Sequence, residues 1–326
     1  MQSHQNLISP SPSESIVGEP RKVHDIDLEE ARTFSSLIRG MGKGGGFTGK
    51  YLADGFDILS RMTGEPGCVN FLSFPAAIVA TGLRGVIKEL VKRKLFDVLI
   101  TTCGMLDHDL ARSWKDYLQG DFALDDVLLE RKGFHRLGSV LVPKDAYGPL
   151  LEVKLSQFLA SLQKAGIRSI SSSELCKRLG EYVNDESSIL YWANRNSIPV
   201  IVPGITDGAV GNQLWLFSQR HRDFSIDMMK DQQILSDVVF AAKKTGALMI
   251  GGGISKHHTL WWNQFRGGLD YAVSITTAVE YDGSLSGALV REAISWGKVK
   301  PGAKQVTVRA DATAVLPLLA AALLER

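Results

Sequence analysis

An α/β fold with a doubly wound, mostly parallel sheet is predicted by three features of this sequence. Short apolar runs rich in β-branched and aromatic residues recur along the chain. Most are followed by a small-residue or polar loop and then by helical spacing. Small and polar residues collect where the apolar runs end, at Thr101-Thr102, Asp207-Gly208, Gly251–His258, Thr276-Thr277 and Asp311. A parallel sheet covered by helices accounts for the alternation, and its ligand sites lie at the carboxyl ends of the strands.

Residues 1–20, rich in Ser, Pro and Gln, read as a flexible arm, and residues 21–326 as a single domain. An acidic helix is expected over Leu28–Arg39, then a flexible glycine turn over 42–50. Tyr51–Met62 is a helix, because Leu52, Phe56, Ile58, Leu59 and Met62 fall at helical spacing. Val69–Phe74 reads as a buried strand, and Ala77–Lys94 as a helix whose basic end suits the helix dipole. Phe96–Thr102 is a strand and Leu106–Leu118 a helix; helical patterning returns from Ile170 to Trp192, with Ser171–Ser173 available as caps. Pro199–Pro203 is a strand opening into a glycine-bounded loop at 204–211. A helix over Asp231–Thr245 precedes the strand Ala247–Ile250 and three glycines. Tyr271–Thr277 and Gln305–Arg309 are strands, and the last helix runs from about Ala314 to Leu324.

Composition narrows the function. A formal charge of +2 on 326 residues provides no field for recruiting nucleic acid or a membrane surface. No apolar run approaches the roughly 18–20 residues that span a bilayer. The first residues lack the apolar core of a signal peptide, and a reducing, cytoplasmic setting is expected. Cys68, Cys103 and Cys176 lie far apart without a C-x-x-C pair, so neither a zinc site nor a disulfide framework is indicated.

Three segments could carry chemistry. In Ala293–Lys300, AISWGKVK, Lys298 stands beside Trp296 and Gly297. It is either a solvated lysine after a turn or an amine nucleophile desolvated by a large apolar neighbour. Gly251-Gly252-Gly253 before Ile254 is either a tight turn or a backbone cradle at a helix N-terminus. It does not match G-x-G-x-x-G, because Lys256 occupies the third glycine position. His257 and His258 in the same turn suit proton transfer near pH 7 better than metal binding, since nothing nearby completes a ligand set. Asp282 and Glu292 near Lys298 either pair with it or bind a cationic substrate; Asp207 and Asp311 suit a ribose hydroxyl, an amine or a helix cap.

Together these residues resemble a family. Gly251–His258, Asp270–Val273, Tyr281–Ser284 with Ser286-Gly287, Glu292-Ala293 and Ser295–Lys298 are similar to the motifs of deoxyhypusine synthases. So are Phe96–Thr102, Arg136–Gly138 with Val142-Pro143, Thr206–Gly208 and Asp311, in order from about residue 42 to 322. Gly45–Thr48 looks like the archaeal and bacterial branches. The resemblance implies a Rossmann-like fold, NAD as cofactor and a homotetramer with active sites between subunits. It also implies transfer of the aminobutyl unit of spermidine through an enzyme lysine to a lysine of the translation initiation factor 5A precursor. Lys298 would then be the imine-forming nucleophile, Trp296 a wall of the amine channel, His257 a proton carrier and Glu292 an amine ligand. Asp207, Thr277, Asp282 and Asp311 match positions that hold NAD or line its site; Thr101, Thr102 and Gly252 are assigned to it as well.

The sequence departs from the family at positions facing the donor and, at 75–77, in the first NAD loop. His108 replaces a glutamate thought to act as base, Leu285 an aspartate, Asn212 an aspartate and Trp261 an asparagine; Pro75-Ala76-Ala77 replaces Thr-Ser-Asn. A charged hydrogen-bond partner contributes roughly 1.5–3 kcal/mol, so two such losses would weaken a polycation by about 10²–10⁴. A changed donor or acceptor follows as an expectation, such as aminobutyl transfer between small amines like putrescine or agmatine to give homospermidine. A non-catalytic NAD- or polyamine-binding paralogue is the further alternative.

Overall fold

The structure, a computed structural model, describes residues 21–325, so the expected arm at 1–20 lies outside the described residues. Six strands form the central sheet: β1 (Cys68–Ser73), β2 (Val98–Ile100), β3 (Val200–Ile201), β4 (Lys244–Ile250), β5 (Leu269–Thr276) and β6 (Val299–Arg309). All pair in parallel, in the order β3-β2-β1-β4-β5-β6. This is the doubly wound, Rossmann-like order, in which the winding reverses between β1 and β4 and opens a crevice beyond their carboxyl ends.

Alternate residues of each strand enter different apolar layers. Phe71, Val98, Ile100, Ala247 and Met249 pack with Leu235, Val239 and Leu260 on one face. Leu72, Leu99, Leu248, Ile250 and Val273 pack with Leu59, Leu83 and Leu319 on the other. Burial on both faces is why these strands are continuous apolar runs rather than alternating ones.

Helix boundaries shift where capping decides them. The acidic stretch at Leu28 forms a turn held by Asp27, and the helix starts at Phe34 behind a Thr33–Ser36 capping box. The long helix expected over 77–94 is a 3-10 turn, Ala77–Ala80, and a helix, Leu83–Lys92, with Thr81 bonded to Ile78 between them. The helix expected over 106–118 spans Cys103–Trp114. Patterning over 170–192 divides into Ser172–Val183 and Ile189–Arg195, because Asn184 turns left-handed at φ 44° and Ser188 caps a new start. The helix expected over 231–245 is Met228–Ala241, freeing Lys244 to begin β4. Absent from the sequence reading are the helix Gly148–Lys164 and a small antiparallel sheet of Leu118–Gln119, Phe134–Leu137 and Val140–Pro143.

Three buried aspartates cap helices remote in sequence. Asp231 accepts from Ser172 and Ser173 N–H, Asp109 from Ile189 and Leu190, and Asp107 from Ala209 and Val210. Each accepts from first-turn N–H groups that have no partner within their helix. Among the described residues no helix is long and apolar enough to cross a membrane.

Candidate active site

Lys298 lies just before β6, at the amino end of the sheet, and its carbonyl accepts from Leu269 N–H at the start of β5. Its side chain reaches the outer face of the helix Gly253–Gln264, which runs back from the carboxyl end of β4. Lys298 Nζ sits 5.8 Å from the ring centre of Trp261 and 5.3 Å from that of Trp296. One turn up the same helix face, His257 stacks on Trp261 with ring centres 5.9 Å apart. Burial, and then the Lys298 charge, hold His257 below its ordinary value, which favours the neutral form. The structure therefore joins Lys298, Trp296, His257 and Trp261 into one group. Trp261, a departure from the family pattern, supplies the second aromatic face to the lysine. Trp296 is 68% exposed in the isolated chain, so it walls Lys298 without burying it.

Lys256, on the same helix but outside this group, is a buried charged residue that sequence reasoning did not assign. It is 1% exposed, and Nζ donates to the carbonyls of Leu285 (2.9 Å) and Ala288 (2.8 Å). Desolvation lowers its pKa to about 8, while the Glu292 charge works in the opposite direction. Glu292 itself is exposed on the 3-10 turn Val290–Ile294. A lysine occupying a glycine position was the one available sign.

The residues expected to hold a cofactor collect toward the carboxyl ends, with differing freedom. Thr101 is fully buried and its hydroxyl donates to Phe74 O at 2.8 Å, tying β2 to β1. Thr102 opens the helix Cys103–Trp114 without making a side-chain cap bond. Asp207 and Thr277 are exposed. Asp282, also exposed, accepts from Ser284 N–H at 2.7 Å, and its hydrogen bonds to Ser284 hold it below the usual carboxylate range. Asp311 caps the helix Ala312–Leu324 through Thr313 N–H at 2.8 Å. A Cβ on Gly252 would overlap Ser286, so that glycine's close approach is to its own chain. Gly253 faces open space at the uncapped start of its helix. Pro75 closes on Gly251 and Ala76 on Gly104, lining the β1 side of the crevice with apolar atoms.

His108 belongs to a second group at the end of β2. Its Nδ1 lies 3.0 Å from Tyr117 Oη, and its ring packs on Tyr147, which donates to Asp107 at 2.7 Å. Asn212 is exposed in the first turn of the helix that Asp107 caps. Among the described residues no hydrogen bond or ring contact joins this group to Lys298, Trp296 or His257. The aspartates flanking His108 are committed to helix caps, which leaves the imidazole as the titratable group of that run.

Burial lowers the pKa of both His108 and His258 to about 4, and His258 Nε2 is buried without a hydrogen-bond partner. In an unfolded chain both titrate near 6.5, so from there down to about pH 4 the unfolded state binds more protons. Stability is therefore present above pH 6.5 and declines as pH falls through that window. Denaturant midpoints measured across it should fall in the wild type and fall less in His258→Gln.

The fold and this site define a doubly wound α/β protein with an aromatic-walled lysine beside a neutral histidine. Residues 36–323 match the profile of the family "Deoxyhypusine synthase". The chain is 53% identical over 303 residues to the probable deoxyhypusine synthase of Picrophilus torridus, spanning 93% of this chain and 97% of that one. It is 51% identical to the corresponding Thermoplasma acidophilum protein, with 92% and 96% covered. A crystal structure assigned to a deoxyhypusine synthase of Entamoeba histolytica shares the fold, with a TM-score of 0.62, 19% identity, and 92% of this chain and 96% of that one covered. The chain belongs to the deoxyhypusine synthase family.

Proposed function

We propose that the protein is an NAD-dependent aminobutyltransferase, moving the aminobutyl unit of spermidine through an imine on Lys298 to a lysine of the translation initiation factor 5A precursor. The observation that carries this is the position of Lys298 Nζ between two indole faces beside a neutral His257. Indole faces attract cations, so the pocket suits an amine chain as well as the lysine. His257 can take the proton that Lys298 must lose before attack. The Lys298 nitrogen then bonds to the imine carbon of the oxidised donor, and diaminopropane leaves with the electrons of the broken C–N bond. The acceptor amine attacks the same carbon and releases Lys298.

The residues present fit NAD at the crevice between β1 and β4. An uncapped helix N-terminus opens there, and Asp207, Thr277, Asp282 and Asp311 lie at or beyond the carboxyl ends of the strands with acceptors suited to hydroxyl groups. When bound, NAD would supply a hydride acceptor for the donor carbon and return the hydride to the final imine. Residues 21–326 act as one catalytic domain in this reading, in the cytoplasm, where three free cysteines are at home. His108, whose Nδ1 pairs with Tyr117 Oη, is the residue that would act on the donor as a base. Its separation from Lys298 within one chain, and the exposure of Ile254, Trp261, Phe265 and Trp296, support a second subunit completing each site, and the homotetramer is what the family resemblance implies.

A second reading, homospermidine-type transfer between small amines, is favoured by Leu285, whose backbone is held by Lys256 and which brings no carboxylate to the loop. Product mass spectrometry separates the two after incubation with NAD and spermidine, with a factor 5A precursor or putrescine as acceptor. One aminobutyl unit added to the precursor supports the main reading; homospermidine without protein modification supports the second. No product in either, with Lys298 unmodified after borohydride, would leave a binding paralogue.

A further inference from the structure

We infer that Lys256 is a positioning residue: its ammonium clamps the Tyr281–Ala288 loop onto the glycine turn Gly251–Gly253, fixing one wall of the cofactor crevice. The inference rests on the NAD reading above for its consequence, though not for the clamp itself.

The chain leaves the carboxyl end of β5, forms the 3-10 turn Glu280–Asp282 and folds back along the helix Gly253–Gln264. Its near end is fixed by the Glu280–Arg309 ion pair. Inside the loop, Gly287 N–H donates to Ser284 O at 3.2 Å, and Gly287 has no room for a Cβ against the Val279 carbonyl. The far end is held by Lys256, through the two carbonyls that flank Ser286-Gly287. Ser286 is thereby seated on Gly252, where any side chain would overlap it. Asp282 rides on the same loop. A buried ammonium is costly unless hydrogen-bonded, and main-chain carbonyls are acceptors that a neutral residue of the same length would leave empty. Nothing in this arrangement brings Lys256 to the amine site, since both identified acceptors belong to the loop; its effect on catalysis runs through Asp282 and the crevice wall.

Two variants of the full-length protein test the inference. Lys256→Met keeps the stem and volume and removes the donors; Gly252→Ala leaves the lysine and pushes Ser286 away. Hydrogen exchange by mass spectrometry is read over 281–288, and NAD affinity by titration. Both variants should speed exchange there by about tenfold or more and weaken NAD by about 10- to 100-fold. At saturating NAD, kcat of Lys256→Met should return to within a few-fold of wild type, so its loss falls on KM for NAD. Unchanged exchange in Lys256→Met, or a kcat loss that NAD does not rescue, overturns the clamp. If Lys256→Met does not fold, Lys256→Gln, which loses the ammonium and shortens the reach, is read in its place by the same two readouts. A wild type that binds no NAD would sink the NAD reading, while the exchange comparison would still judge the clamp.

Discussion

Replacing Lys298 with arginine is expected to reduce aminobutyl transfer by about 10⁴-fold or more while leaving the fold in place. Arginine keeps the positive charge and stays protonated, so it can sit on an indole face but cannot form an imine. The half-exposed position between Trp261 and Trp296 accommodates the larger head without displacing a core residue. Borohydride added during turnover should fix one aminobutyl unit on wild-type Lys298, read by peptide mass spectrometry, and none on the variant. In the proposed route donor oxidation does not use the lysine, so Lys298→Arg should still generate NADH absorbance when given spermidine and NAD. Transfer at the wild-type rate by Lys298→Arg, or trapping at another residue, would refute the lysine-imine route. The measurement is sharper than loss of activity alone, because misfolding would remove oxidation together with transfer.

Much of the fold was legible because strand runs and helical spacing are local signals. The six strands of the sheet fall on six of the expected apolar runs, while the place of the reversal, between β1 and β4, is given by the strand order. Helix edges were less legible wherever the cap is remote. Asp107, Asp109 and Asp231 cap helices that begin 59 to 102 positions away, and no local pattern announces that. The small antiparallel sheet was missed because its strands are short and half exposed, without the apolar density that marked the others.

In the site, the Lys298–Trp296 spacing and the His257 position could be read, since each lies in a short motif. Trp261 read as a loss of family character, yet it lines the lysine, because residues 257 and 261 share a helix face. Thr101 stood at a strand end like the other candidates, and only its bond to Phe74 separates a sheet tie from an exposed threonine. Lys256 could not be assigned from spacing, as its acceptors lie 29 and 32 residues downstream.

Asp109→Ala should destabilise the protein by about 3–5 kcal/mol, the range for removing one partner of a buried ion pair. The carboxylate is fully buried and accepts from Arg84 Nε at 2.7 Å, Ser188 Oγ at 2.7 Å, and the N–H groups of Ile189 and Leu190 at 3.0 Å. Alanine would leave a guanidinium without its paired carboxylate in a site 5% exposed, and the Ile189 and Leu190 N–H groups without an acceptor. Arg84 keeps bonds to Ser113, Ser187 and the Asp109 carbonyl, so the charge stays trapped inside. Asp109→Asn should cost less, because an amide oxygen still caps the helix. Arg84→Met added to Asp109→Ala should recover part of the loss, because the unpaired charge goes with it. Asp126→Ala is the contrast: its pair with Arg136 is exposed on the aspartate side, and it should cost about 1 kcal/mol or less. Urea unfolding at one protein concentration measures all four. If Asp109→Ala proved no worse than Asp126→Ala, the interior around Arg84 would have to admit water, and the Asp109–Arg84 pair could no longer be what joins the helices Leu83–Lys92, Cys103–Trp114 and Ile189–Arg195.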